Sequence, residues 1–131
     1  MTVFLPISTV VAGVLGLWLV ILSGNVIRLR QASGVSLGTG EDRRLTRAVR
    51  AQGNLTEYAP MFVVLLVLAE LQGGNAIVLA CLGAVFLAGR LGHGVALGFT
   101  EKWALGRLGG MIASFTALGL VALYALGLSL T

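Results

Sequence analysis

Charge is what this sequence has least of: 11% of its 131 residues are Asp, Glu, Lys or Arg, while 57% are hydrophobic. A soluble domain carries about 25% charged residues, and a mean hydropathy of +0.98 falls outside that class. Cysteine is reduced to Cys81, so an intramolecular disulfide is excluded. A lone thiol inside an apolar stretch reads as a packing residue. Histidine also occurs once, and no metal site is expected. Five acids stand against nine bases, giving a net charge of +4 and a pI of about 10.2. In a soluble protein that balance would point to nucleic acid. Here the charges are bunched between long apolar runs, so nucleic acid is not an expected partner.

Those runs set the fold class. About 30 Å of hydrocarbon takes roughly 20 apolar residues to cross as a helix. Four stretches qualify, residues 6–27, 52–71, 75–98 and 105–130. The expected fold is an all-α membrane protein, a bundle of four transmembrane helices in one domain over residues 1–131, in contact with membrane lipids. The first stretch does not read as a signal peptide. No Lys or Arg precedes it, its apolar core is long and its C-terminal flank is arginine-rich. Arg28, Arg30, Arg43 and Arg44 flank the first connection, and Lys102 and Arg107 the third. The N-terminus, the turn at 72–75 and the C-terminus have no Lys or Arg. The positive-inside rule therefore predicts cytoplasmic basic connections and both termini outside.

Residues 32–40 carry Gly and Ser at turn spacing and read as a flexible loop. Residues 39–42 offer capping side chains for a second helix. That helix, running to Leu71, is longer than the bilayer needs, so its first turns stand among the headgroups. Phe99 and Trp103 suit the aromatic belt between helices three and four. The glycines at 89, 92, 106 and 110 let those two helices approach closely.

Helix two carries the anomaly. Arg43, Arg47, Arg50, Asn54 and Glu57 are spaced 4, 3, 4 and 3 apart, which places them on one stripe. Leu45, Val49 and Leu55 lie off it, free to face lipid or other helices. Glu57 falls about two turns into the apolar part, where an acid costs roughly 2.5–3.5 kcal/mol. It needs a partner or a proton, and Arg50 and Arg90 are the candidates. Asn54 and Glu57 as simple helix glue is the competing reading, but one polar residue would suffice for that. Arg90 and His93 share a face of helix three, and Arg107 opens helix four with Ser114 on the same side. His93 reads equally as a structural histidine, and Arg107 as a snorkelling one. Glu70, near the far end of helix two, reads as solvated.

Together these groups predict an interior cationic pocket with one acid and one amide, open to the basic side. Arginines favour carboxylates or phosphates. The glutamate repels phosphate and accepts an ammonium, and Asn54 can pair with a peptide bond. The set suits a zwitterionic, net-anionic, peptide-like ligand better than a nucleotide.

The segment from Arg47 to Pro60 resembles the signature of the MAPEG superfamily, the membrane-associated proteins of eicosanoid and glutathione metabolism. The pattern Arg-Ala-x-x-Asn-x-x-Glu followed by Pro is matched by Arg50, Ala51, Asn54, Glu57 and Pro60. Arg90-x-x-His93 and an arginine opening helix four match as well. The strings at 53–58 and 89–93 are most similar to bacterial members, which implies a bacterial inner membrane. The resemblance implies a homotrimer with glutathione as cosubstrate between neighbouring subunits. Arg50, Asn54, Glu57 and Tyr58 would hold it, Arg90 and His93 would line or brace the site, and Arg107 would act at the sulfur. Arg30, or Arg28 in its place, would reach a carboxylate. A guanidinium near the thiol favours the thiolate, which would attack a small hydrophobic electrophile or reduce a lipid hydroperoxide.

One position departs from the eicosanoid-forming members: Leu97 stands where several carry a tyrosine. General glutathione transferase or peroxidase chemistry is compatible with that, and so is a catalytically silent lipid-binding or scaffold protein. A small multidrug-type exporter also has four helices and an intramembrane acid. Its acid belongs in helix one, which here has no carboxylate.

Overall fold

A computed structural model describes residues 4–130. It contains four helices, α1 (Pro6–Ser33), α2 (Arg43–Leu71), α3 (Ala76–Gly98) and α4 (Ala104–Ser129). All four are long and apolar enough to cross a membrane. α2 and α3 form the centre and touch every other helix. α1 packs on one side of them and α4 on the other, and α1 and α4 do not meet among the described residues.

The helix ends follow local chemistry. Pro6 opens α1, where its missing N–H costs nothing. The helix runs six residues beyond the expected apolar span and stops at Gly34, which takes the left-handed conformation at φ 68°. The Asp42 side chain caps α2 by accepting from the amides of Arg44 and Leu45, and Asn75 caps α3 in the same way. No side chain from its own sequence neighbourhood caps α1. Glu70 does so from the far end of α2: its carboxylate accepts from the amides of Ile7 and Ser8 and from the Ser8 hydroxyl. The expectation that Glu70 is merely solvated is therefore overturned. Its acceptors meet orphan donors at the positive end of a helix.

Between the helices lies an apolar core, with Phe62 of α2 stacked on Phe86 of α3 at 3.8 Å between ring centroids. Leu22, Leu55, Leu66, Leu79 and Val121 close around this pair. Leu45 joins a smaller cluster with Val26 and Ala48 near the basic end. Leu17, Val20, Ile77 and Leu123 point outward, as lipid requires. Cys81 is also exposed, which corrects its reading as a packing residue. A small apolar thiol is as acceptable to lipid as to a core.

α3 and α4 approach most closely where glycines face each other. A Cβ on Gly89 would lie 2.6 Å from Ser114 Oγ and 2.8 Å from the Gly110 carbonyl oxygen. One on Gly110 would lie 2.5 Å from the Gly89 carbonyl. This backbone contact brings Ser114 and His93 to the site described next.

Candidate functional site

The α2 stripe divides between two environments. At about 100° per residue, Arg47 and Asn54 lie about 40° and 20° to one side of Arg43, and Arg50 and Glu57 about 20° and 40° to the other. The first pair turns toward α3. Arg47 donates to the carbonyls of Ala96 at 2.9 Å and Thr100 at 2.7 Å, covering the end of α3. Asn54 is buried and donates to the Arg50 carbonyl. The second pair turns outward: Arg50 and Glu57 are exposed, and neither side chain has an ion pair or hydrogen bond among the described residues. The expected interior pocket, with Glu57 paired to Arg50 or Arg90, is overturned. A stripe about 80° wide straddles the edge of the bundle rather than facing its centre.

Arg90 is instead enclosed, at 2% exposure. Its Nε donates to Ser114 Oγ at 2.7 Å, one terminal nitrogen to the Asn54 carbonyl at 3.3 Å and the other to Met111 Sδ at 3.3 Å. The guanidinium also lies over the rings of Tyr58 at 5.4 Å and Phe86 at 5.8 Å. All of these partners are neutral. Arg90 thus ties α3 to α2 and α4 with no carboxylate beside it, and the ring faces supply part of the missing negative potential. Tyr58 in turn sits edge-on to Phe115 of α4.

His93 is 5% exposed, and its Nδ1 lies 3.0 Å from the Arg107 carbonyl. A carbonyl only accepts, so Nδ1 carries the hydrogen. Nε2 is buried without a hydrogen-bond partner among the described residues. The Arg107 guanidinium is exposed and shares a small cleft of about 90 Å³ with Arg47, Glu101 and Lys102. Arg47 is the residue of the α2 stripe that this cleft shares with Arg107.

The two arginines at the end of α1 separate. Arg30 donates to the carbonyls of Gly38 at 2.7 Å and Val35 at 3.5 Å, tying down the loop between α1 and α2. Arg28 donates to Asn25 Oδ1, and Asn25 donates to the Gly98 carbonyl. Arg28 and Leu97 line a cleft of about 320 Å³ at the basic end of the bundle. The structure thus brings Arg90, His93, Asn54, Tyr58 and Ser114 together as one brace. It leaves Arg50, Glu57 and Arg107 facing outward, and gives Arg30 to the loop.

Sequence reasoning passed over Asn25, Ser23 and Gln52. Gln52 Nε2 donates to Ser23 Oγ at 2.8 Å, a polar bridge between α1 and α2 on the side of α2 opposite the stripe. The signal for Asn25 was present, since it is the one amide side chain within the apolar stretch 6–27.

The chain as a whole is similar to known proteins. The inner membrane protein YecN of Escherichia coli is 36% identical over 117 residues, 89% of this chain and 88% of its own. The protein of the same name from a second Escherichia coli strain matches to the same extent. The MAPEG family profile matches residues 8–127, which takes in all four helices and sets aside the exporter reading. The chain is therefore a membrane protein that belongs to the MAPEG family.

Proposed function

We propose that the protein binds glutathione and acts as a membrane-embedded glutathione transferase or peroxidase on hydrophobic electrophiles or lipid hydroperoxides. The observation that carries this reading is the outward, unpaired placement of Arg50 and Glu57, with Glu57 at the midpoint of α2. Against lipid tails, such a carboxylate would cost roughly 2.5–3.5 kcal/mol. The cost disappears if the face is covered by a polar ligand and a neighbouring copy of the chain. A homotrimer with glutathione between subunits supplies both covers, with the basic end in the cytoplasm where the tripeptide is available.

Arg50 is free to take a carboxylate in a two-pronged hydrogen bond. Glu57 suits the ammonium, and the Asn54 amide and Tyr58 hydroxyl suit the peptide groups. Arg90 is a positioning residue, because its three nitrogens are spent on Ser114, the Asn54 carbonyl and Met111. His93 positions the start of α4 by holding the Arg107 carbonyl through Nδ1, with Nε2 left unpartnered among the described residues. Arg30 positions the neighbouring loop. Arg107 is the exposed cation able to hold a thiolate in place of a thiol. Glutathione, once bound, supplies the sulfur that forms a carbon–sulfur bond or gives electrons to a peroxide.

Titrating glutathione onto detergent-purified protein while following thiolate absorbance tests this. Saturable binding is expected, with loss of at least about tenfold in affinity on Arg50→Ala or Glu57→Gln, since each removes a charge-assisted contact. Arg107→Ala should keep binding and lose the thiolate signal. Absence of binding, or binding indifferent to both α2 variants, rules the glutathione reading out. A second reading, a silent lipid-binding member, is favoured by Leu97, which puts an apolar side chain on the cleft wall. Binding without thiolate or turnover of a model electrophile would select it.

A further inference from the structure

The cleft at the basic end is separate from the Arg50–Glu57 face and needs its own occupant. Its walls come from three helices: Arg28 and Leu29 from α1, Arg44 and Arg47 from α2, and Leu97 through Glu101 from the end of α3 and the following turn. Three guanidinium groups face one carboxylate. Among the described residues Arg28 is bonded only to the neutral Asn25 amide, and Arg47 only to two backbone carbonyls. Arg44 approaches Glu101 at 3.7 Å, with both side chains mostly exposed. Such a pair is weakly held. The positive end of α2 is met by its own cap, Asp42, and the negative end of α3 is covered by Arg47 and Asn25, so neither helix end alters the count of three guanidinium groups against Glu101 on the cleft wall. The cleft therefore carries an uncompensated positive charge.

Leu29, Leu97 and Phe99 give its lining an apolar part, and its volume of about 320 Å³ lies within the range of sites for small ligands. Phe99 and Trp103 stand exposed at the same end of the bundle, where aromatic side chains mark the headgroup layer. An occupant has to be anionic, to have an apolar shoulder and to reach the cleft at that depth. We infer that this cleft binds the phosphate of an anionic membrane lipid, with Arg28 and Arg44 on the phosphate and the first carbons of an acyl chain against Leu29 and Leu97. Glu101 sets the selectivity. It draws Arg44 away from an empty cleft and disfavours more highly charged anions. The site does not depend on the glutathione reading, whose charged contacts on α2, Arg50 and Glu57, lie on the other side of the stripe and do not line this cleft.

The test titrates detergent-purified protein with phosphatidylglycerol, and in parallel with phosphatidylcholine and inorganic phosphate, counting bound lipid by native mass spectrometry. Phosphatidylglycerol should bind about tenfold more tightly than phosphatidylcholine, since each arginine near the surface contributes to anionic-lipid affinity. The paired change Arg28→Gln and Arg44→Gln should abolish that preference, and the lysine pair should restore most of it. Glu101→Gln should strengthen phosphatidylglycerol binding about two- to threefold by freeing Arg44. This variant gives a gain of binding, so a misfolded glutamine pair cannot decide the outcome. Equal affinity for the two lipids, or an unaltered preference in a folded glutamine pair, overturns the proposal. So does weaker binding on Glu101→Gln. Displacement of the lipid by millimolar phosphate would assign the cleft to a soluble anion and overturn it as well.

Discussion

At the scale of single residues, the side chain that most defines this protein is Arg90, a guanidinium buried among neutral partners in a membrane-spanning helix. It binds Ser114, the Asn54 carbonyl, Met111 and two ring faces at once. Its removal should lose these contacts and leave a cavity where three helices meet. Arg90→Ala is expected to destabilise the fold by about 3 kcal/mol or more, read as a lower thermal midpoint in detergent. An unchanged midpoint would mean that the brace is dispensable. That Arg90 and His93 share one face of α3 was legible from their spacing, but the enclosure of Arg90 by neutral partners was not. Periodicity places a residue on a face of its own helix, and only the packing of the neighbouring helices says whether that face is closed. The same limit explains the stripe. Its narrow width was legible, whereas the division into inward Arg47 and Asn54 and outward Arg50 and Glu57 depends on where the edge of α3 falls across it.

Among the elements, the four spans were legible because lipid leaves the backbone no partner but itself, so apolar length and helix length coincide. What joins the helices was less so, because it is set by contacts distant in sequence. Glu70 is the clearest case, an acid at the end of α2 that caps the start of α1 across 62 positions. Glu70→Ala should leave the amides of Ile7 and Ser8 without acceptors, at a cost of about 1–2 kcal/mol. Hydrogen exchange should speed up at those two amides and not in the middle of α1, and uniform protection across the variant would refute the cap. The α3–α4 contact makes a paired prediction. Gly89→Ala drives a methyl against Ser114 and the Gly110 carbonyl, and should destabilise by about 1–3 kcal/mol. Gly92→Ala meets nothing within 4 Å and should be neutral or stabilising by up to about 1 kcal/mol, since alanine is the better helix former. Thermal midpoints of the two variants moving together would show that glycine matters there for some reason other than close approach.

The whole molecule presents an exterior that is not uniform, and this has a consequence for assembly. Most outward positions on α1, α3 and α4 are apolar. Arg50, Thr56 and Glu57 interrupt that surface on α2. Beside them an apolar trough of about 380 Å³ runs between α1 and α2, lined by Leu15, Gly16, Leu19, Leu55, Ala59 and Val63. A charged strip next to an unfilled trough is a poor lipid contact and a good helix contact, because a neighbouring copy can bring both polar partners and close packing. If copies of the chain associate over this strip, Gly16 becomes the informative position. It is exposed, with open space where its side chain would be. Gly16→Leu should therefore leave the folded chain intact while blocking the trough. Light scattering in mild detergent should give the native protein three times the 13.6 kDa chain mass, and Gly16→Leu should shift it toward one chain with helicity unchanged. Gly127→Leu, also in open space but on α4, should not. A native protein that runs as a single chain would leave Glu57 facing lipid, and would remove the covered face on which the proposed glutathione site depends.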